Sequence, residues 1–222
     1  MPTRRWAPTA KSCPAGTWVR QEDSETPYMT RRAIEFIEQS GDTPWVLHLS
    51  YIKPHWPYVA PAPYHAMYTR DDMLAVKQDP RELRNAHPVL HGFRQAEVSR
   101  NFSRAQVRDT VIPTYMGLIK QIDDQLGVLF EHLRASGRDE DTMIIFCSDH
   151  GDYLGDHYLG EKELFHDCVA KVPLIIRLPG AQARRGAVES RLVEAIDLVP
   201  TILDAYGVDQ PDHILEGRSL LP

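Results

Sequence analysis

The uncharged run Thr142-Met143-Ile144-Ile145-Phe146-Cys147 ends directly against the polar segment Ser148-Asp149-His150-Gly151-Asp152-Tyr153-Leu154-Gly155-Asp156-His157. A continuous apolar run rich in branched and aromatic side chains is the pattern of a strand covered on both faces. Such strands belong to parallel sheets, and in open parallel sheets ligands bind beyond the carboxyl ends of the strands. One stretch of sequence therefore constrains both the fold and the place to look for chemistry.

The flanking pattern supports a parallel arrangement. Trp45-Val46-Leu47-His48-Leu49-Ser50-Tyr51 reads as a second buried strand. Between the two lies the strongest helical signal, from about residue 105 to 136, with Tyr115, Leu118, Ile119, Ile122, Leu126, Leu129, Phe130 and Leu133 on one face. Pro113 belongs near its first turn or at a kink. Strand, long helix and strand make a right-handed βαβ unit. An earlier helix is expected from Thr26, with Thr26 as cap and Pro27 in the first turn, closing at Gly41. A strand over 172–178 and a helix over 198–206 follow. Residues 70–106 are charged and weakly periodic and read as a surface excursion. The expected fold class is α/β, a mostly parallel sheet flanked by helices, with 1–222 forming one incomplete domain behind an irregular leader at 1–25.

Composition excludes several functions. With 31 acidic against 25 basic residues and a net charge of -6, the chain has no general attraction for nucleic acid or an anionic membrane. No apolar stretch approaches the roughly 20 residues that span a bilayer, and Met1-Pro2-Thr3-Arg4-Arg5-Trp6 lacks the apolar core of a signal peptide. Cys13, Cys147 and Cys168 match no zinc spacing and cannot all pair within one chain, so a reducing, cytoplasmic location is expected. Cys147, inside the strand run, is expected to be inert, and Cys13, in the leader, the most reactive. The sequence leaves a homo-oligomer open.

Two segments carry candidate chemistry. Asp149 and His150 put a hard oxygen and an imidazole at a strand end, within reach of one cation. Lys162 follows twelve residues after His150. A plain turn with Asp149 as a local cap is the ordinary reading of an isolated Asp-His-Gly. The crowding of His, acidic residues and Lys162 into 149–167 shifts the balance. Gly151 is expected to let the backbone turn sharply, while Asp156, His157 and His166 read as loop-packing partners. The second segment is Lys53-Pro54-His55-Trp56-Pro57-Tyr58, a loop stiffened by proline after the first strand. His55 either packs on Trp56 or presents a rigid imidazole to the same strand edge as Asp149.

Ser148 through Lys162, followed by Val172-Pro173-Leu174-Ile175-Ile176-Arg177, resembles the sulfatase family of the alkaline phosphatase superfamily, in its arylsulfatase and phosphonate monoester hydrolase branch. Leu49 through Tyr58 resembles that family's second histidine loop, and Leu215 through Pro222 the stretch leading into its C-terminal subdomain. The resemblance runs from about residue 22 to the end. It implies an alkaline-phosphatase-like fold and metal-dependent hydrolysis of sulfate, phosphonate or phosphate esters. By position it makes Asp149 and His150 metal ligands, Lys162 a contact to a substrate oxygen, and His55 a contact near the leaving group. The cofactor is a divalent ion (Mn, Zn, Ca or Mg), and the donor types favour Mn²⁺ or Zn²⁺ over Ca²⁺. The partner is an anionic small-molecule ester.

One departure qualifies that reading. The family's nucleophile lies in a C-x-P-x-R motif, and Cys13-Pro14-Ala15-Gly16-Thr17 does not fit it. The family's early aspartate pair is also missing. The chain is expected to be the C-terminal portion of a longer enzyme, inactive alone. An inactive remnant serving as an interaction module and a phosphodiesterase-type member of the superfamily stand as alternatives.

Overall fold

The computed structural model describes residues 20–180, 185–208 and 215–221. Helix α1, Glu25–Gln39, buries Thr26, Pro27, Thr30, Ala33 and Ile37 along one face. Ser24, not Thr26, occupies the cap position, and its hydroxyl donates to the Gln21 carbonyl at 2.7 Å. Thr26 lies inside the first turn beside Pro27, where both are buried.

Helices α2, Pro88–Gln95, and α3, Glu97–Phe102, lead into α4, Ala105–Ala135. Pro113 stands well inside α4, where its ring removes one ladder donor. The buried stripe of α4 is Leu118, Gln121, Leu129 and Leu133, while Ile119 is 47% exposed. The stripe departs from the apolar pattern because α4 is gripped from two sides. Ala33 and Ile37 of α1 meet Leu129 and Leu133, whereas Ala60 and Tyr64 meet Leu118. Gly117 permits the second contact, since a Cβ there would lie 2.2 Å from the Tyr64 carbonyl oxygen. The buried Gln121 is satisfied by donating to the Ser24 hydroxyl at 2.8 Å.

Strand β1, Ile144–Cys147, pairs with β2, Leu174–Arg177, in antiparallel register with Cys147 opposite Leu174 and Ile144 opposite Arg177. The parallel βαβ unit read from the sequence is not formed among the described residues. Residues 45–51 form no ladder there, and their burial alternates. Trp45, Leu47 and Leu49 pack on the α1–α4 core with Ile144, while Val46, His48 and Ser50 face outward. The β1–β2 pairing is antiparallel because the chain from 148 to 173 stays at the carboxyl end of β1, so the next strand starts there and runs back. That whole excursion is thereby held at the carboxyl end of β1.

Two further expectations need correction. Cys147 is exposed, and β1 is half-buried instead of covered on both faces. It is therefore accessible to thiol reagents; Cys168 is also a free thiol, and Cys13 lies outside the described residues. Residues 70–106 are no loose excursion, since Arg94, Ser99 and Phe102 are buried. They form a platform for the loop after His150. Gly160 lies so close to α3 that a Cβ would stand 2.6 Å from the Phe102 ring, and Gly155, at φ 107°, lies against Arg108. Helix α5, Asp167–Ala170, closes this loop before β2.

Helix α6, Leu198–Ala205, receives the last described segment, where the Arg218 amide donates to Asp197 at 2.9 Å and the Leu220 amide to Thr201 at 3.0 Å. No helix among the described residues is long and apolar enough to cross a membrane.

The rotated stripe on α4 is testable. Leu118→Ala should cost about 2–5 kcal/mol through lost burial and a cavity, whereas Ile119→Ala should stay within about 0.5 kcal/mol. Equal losses in denaturant unfolding would restore the stripe read from apolar spacing alone.

Candidate active site

The loop 52–59 is braced from within. The His55 amide donates to the Ile52 carbonyl at 3.1 Å, the Val59 amide to Pro57 at 2.8 Å, and the Lys53 ammonium to Pro57 at 2.8 Å. The X–Pro peptide bonds at Lys53-Pro54 and Trp56-Pro57 are cis. His55 packs at a tilt on Trp56, with ring centroids 5.5 Å apart. Its Nδ1 lies 2.8 Å from the Trp56 carbonyl oxygen. A carbonyl only accepts, so Nδ1 carries the proton in that contact and Nε2 presents a lone pair.

That lone pair meets Lys162. The Lys162 ammonium stands 2.9 Å from His55 Nε2 across 107 residues of sequence. Both sequence readings of His55 thus have their geometry, packing on Trp56 through one face and meeting Lys162 through one nitrogen.

Asp149 and His150 form a second pair. The Asp149 carboxylate is 84% exposed, and its Oδ2 lies 3.5 Å from His150 Nε2. Each side chain has one atom committed to the scaffold. The His150 amide donates to Asp149 Oδ1 at 2.9 Å, and His150 Nδ1 donates to the Gly151 carbonyl at 2.7 Å. Oδ2 and Nε2 remain as a matched pair of donor atoms. Two ligands on one cation, with bonds near 2.1 Å, stand roughly 3.0–3.4 Å apart, so the pair at 3.5 Å needs only a small inward shift to serve as two donors of a metal site. No group of three or more His, Cys, Asp or Glu is arranged to hold a metal among the described residues.

Gly151 acts differently from the sequence expectation. Its φ is not positive; what it supplies is closeness. A Cβ there would lie 2.0 Å from the Cys168 carbonyl oxygen, and its amide donates to Val169 at 2.8 Å. The next turns are strained instead, with Leu154, His157, Tyr158 and Glu161 all at φ between 46° and 63°. Backbone bonds from Tyr153 to Glu161 and from Gly155 to Leu159 hold them, at 2.8 and 2.9 Å.

Sequence reasoning did not single out the group between the two pairs. The Tyr58 hydroxyl donates to Asp152 Oδ2 at 2.9 Å, and the Leu154 amide donates to Oδ1 at 3.0 Å. Burial raises the Asp152 carboxyl above its ordinary range, against these hydrogen bonds and the charges of His150 and Lys162. Burial followed by the charges of Asp152 and Asp149 pushes Tyr115 up to about 12. Asp152 follows the Asp-His-Gly directly, yet nothing in the sequence pairs it with Tyr58. A hollow of about 280 Å³ lies elsewhere, lined by His87, Val89, Leu90, Leu164, Phe165 and His166, and none of the four expected site residues borders it.

Asp156, His157 and His166 pack the loop, as their positions suggested. His157 and His166 stack with centroids 4.3 Å apart, His157 meets Glu82 at 3.1 Å, Glu82 meets Arg94 at 3.0 Å, and His166 meets the Tyr153 hydroxyl at 2.8 Å. Asp156 accepts from the Lys77 amide at 2.8 Å.

A sulfatase family model matches residues 9–208. The chain belongs to the sulfatase family. It is 38% identical to the multifunctional alkaline phosphatase superfamily protein PehA of Trinickia caryophylli, over 92% of this chain and 42% of that protein. Two solved phosphonate monoester hydrolases superpose well on the chain. That of Silicibacter pomeroyi gives a TM-score of 0.82 at 33% identity over 90% of this chain and 41% of that one. That of Agrobacterium radiobacter gives 0.84 at 28% identity, over 93% and 43%. The alkaline-phosphatase-like α/β fold is thereby shown, in part. The chain spans about two-fifths of the length of these relatives.

The histidine stack sets a pH dependence. Burial, then His157, holds His166 below its ordinary value, with Glu82 opposing and Arg94 adding to the shift. The folded state therefore resists a proton that the unfolded chain takes up below about pH 6.5, and stability falls as pH drops through that range. The melting temperature should decline from pH 7.5 to 5.5, and His166→Gln should flatten the decline. An unchanged slope in the variant would place the response elsewhere.

Proposed function

We propose that this chain supplies one side of the active site of a metal-dependent hydrolase acting on sulfate, phosphonate or phosphate esters. The observation that carries the reading is the Lys162–His55 contact at 2.9 Å, formed between the two loops whose sequences resemble the family's site. Asp152, which directly follows Gly151, accepts from Tyr58 at 2.9 Å and so ties the His55 loop to the turn that carries Asp149 and His150.

In this reading Asp149 Oδ2 and His150 Nε2 hold a divalent cation, with Mn²⁺ or Zn²⁺ preferred to Ca²⁺ for a carboxylate–imidazole pair and Mg²⁺ left open. The bound ion would polarise the ester and neutralise developing charge. Lys162 donates to a substrate oxygen, which replaces His55 Nε2 as the acceptor of its proton. His55, fixed through Nδ1 by Trp56, faces the ester near its leaving oxygen and can donate to it once Nε2, released from Lys162, has taken up a proton. Both contacts act on charge that grows in the transition state. The substrate is an anionic small-molecule ester, which Lys162 and the bound cation would attract against a net charge of -6. The domain is a C-terminal part of the family fold, and its location is cytoplasmic.

Residues 1–222 alone should turn over aryl sulfate or phosphonate monoesters at background, because no C-x-P-x-R nucleophile motif is present. The chain should bind Mn²⁺ weakly in isothermal titration, and Asp149→Ala should abolish the heat. Tight binding that survives the substitution would move the metal elsewhere. In a protein completed by a nucleophile-bearing segment, His55→Ala and Lys162→Ala should each lower kcat by about 10²–10³-fold, for roughly 2–4 kcal/mol of oxyanion stabilisation each. Melting temperatures should change little. A His55→Ala variant that melts lower yet keeps its kcat would reduce His55 to a packing residue on Trp56.

A further inference from the structure

The internal bonds of loop 52–59 fix its shape but not its placement against Lys162. Among the described residues, two side-chain hydrogen bonds cross from it to the 148–162 segment, His55 to Lys162 and Tyr58 to Asp152. The first ends on the Lys162 ammonium, at the tip of a long side chain, and gives the loop little support. The second joins two anchored groups. The Tyr58 ring is wedged edge-on against Phe102 and at a tilt against Tyr115, each centroid 6.2 Å away. Asp152 is held on both sides, by the Gly151 amide on Val169 and the Tyr153 amide on Glu161, both 2.8 Å, and its Oδ1 is taken by Leu154. Oδ2 is left facing the Tyr58 hydroxyl.

We propose that Tyr58 and Asp152 are positioning residues, a strut that sets His55 Nε2 opposite the Lys162 ammonium. Tyr58 lies three residues from His55 on a loop stiffened by proline, so a hydroxyl pinned at Asp152 restricts movement of the imidazole. Reaction geometry is sensitive to such movement, where a displacement of about 1 Å can cost 10²-fold in rate. The strut needs a hydrogen-bonding partner at Asp152 and does not need its charge. Its importance for hydrolysis rests on the function proposed above, whereas the positioning itself can be read without turnover.

The test uses the 222-residue chain with ¹⁵N-labelled histidine side chains. In the unsubstituted protein His55 should show a protonated Nδ1 and an unprotonated, hydrogen-bonded Nε2. Tyr58→Phe keeps the ring and removes the strut; it should shift or average the His55 nitrogen signals and weaken binding of inorganic phosphate about 3–10-fold, while the melting temperature stays near that of the unsubstituted chain. Asp152→Asn, isosteric and still hydrogen-bonding, should keep the original His55 pattern. Unaltered His55 signals in Tyr58→Phe would overturn the proposal. Altered signals in Asp152→Asn would also overturn it, because charge and not the strut would then govern His55. Absence of hydrolysis in a completed enzyme would count against the proposed function and leave this result standing.

Discussion

A lysine ammonium 2.9 Å from an imidazole nitrogen, across 107 residues, requires that two loops be brought together and that one partner offer a lone pair. The Trp56 carbonyl meets the second requirement by taking the Nδ1 proton of His55. The first is met by the rest of the fold. Helix α4 packs on α1 and on Ala60 and Tyr64, which places the end of the His55 loop. Antiparallel return through β2 keeps the 148–173 excursion at one sheet edge, and α3 supports it through Gly155 and Gly160. The site is thus a convergence of loops on a helical platform and not an enclosed cavity.

Electrostatics follow the same division. Asp149 and His150 each spend one atom on local backbone and keep one free, which leaves a pair of donors 3.5 Å apart at the surface. Asp152 is the more sheltered carboxylate, with both oxygens taken by Tyr58 and Leu154. Two acids three residues apart therefore sit in different environments. The exposed one suits a cation, and the half-buried one suits a structural hydrogen bond.

The sequence made the position of the candidate site legible, because an apolar run that stops at Asp-His-Gly marks a strand end whatever its partner strand. The motif from 148 to 162 and the histidine loop likewise marked the family from their own residues. Strand direction was not legible. Parallel and antiparallel pairing share the same apolar pattern, and only the path of the connection separates them. Cys147 and residues 45–51 read as covered because apolar runs report tendency to be buried, not the presence of a covering layer. Ile119 lies exposed and Gln121 buried because helix periodicity ignores where neighbouring segments press. Tyr58 and Asp152 stayed hidden because a hydrogen bond across 94 residues leaves no local trace.

The central claim is that His55 and Lys162 face one anion position. A double-mutant cycle on the affinity of the chain for inorganic phosphate tests it directly, with His55→Ala, Lys162→Ala and the combined variant. A shared position should give non-additive losses, with a coupling of about 1 kcal/mol or more. Losses that add to within about 0.5 kcal/mol would mean that the two side chains act at separate places, and the convergence would have no functional meaning.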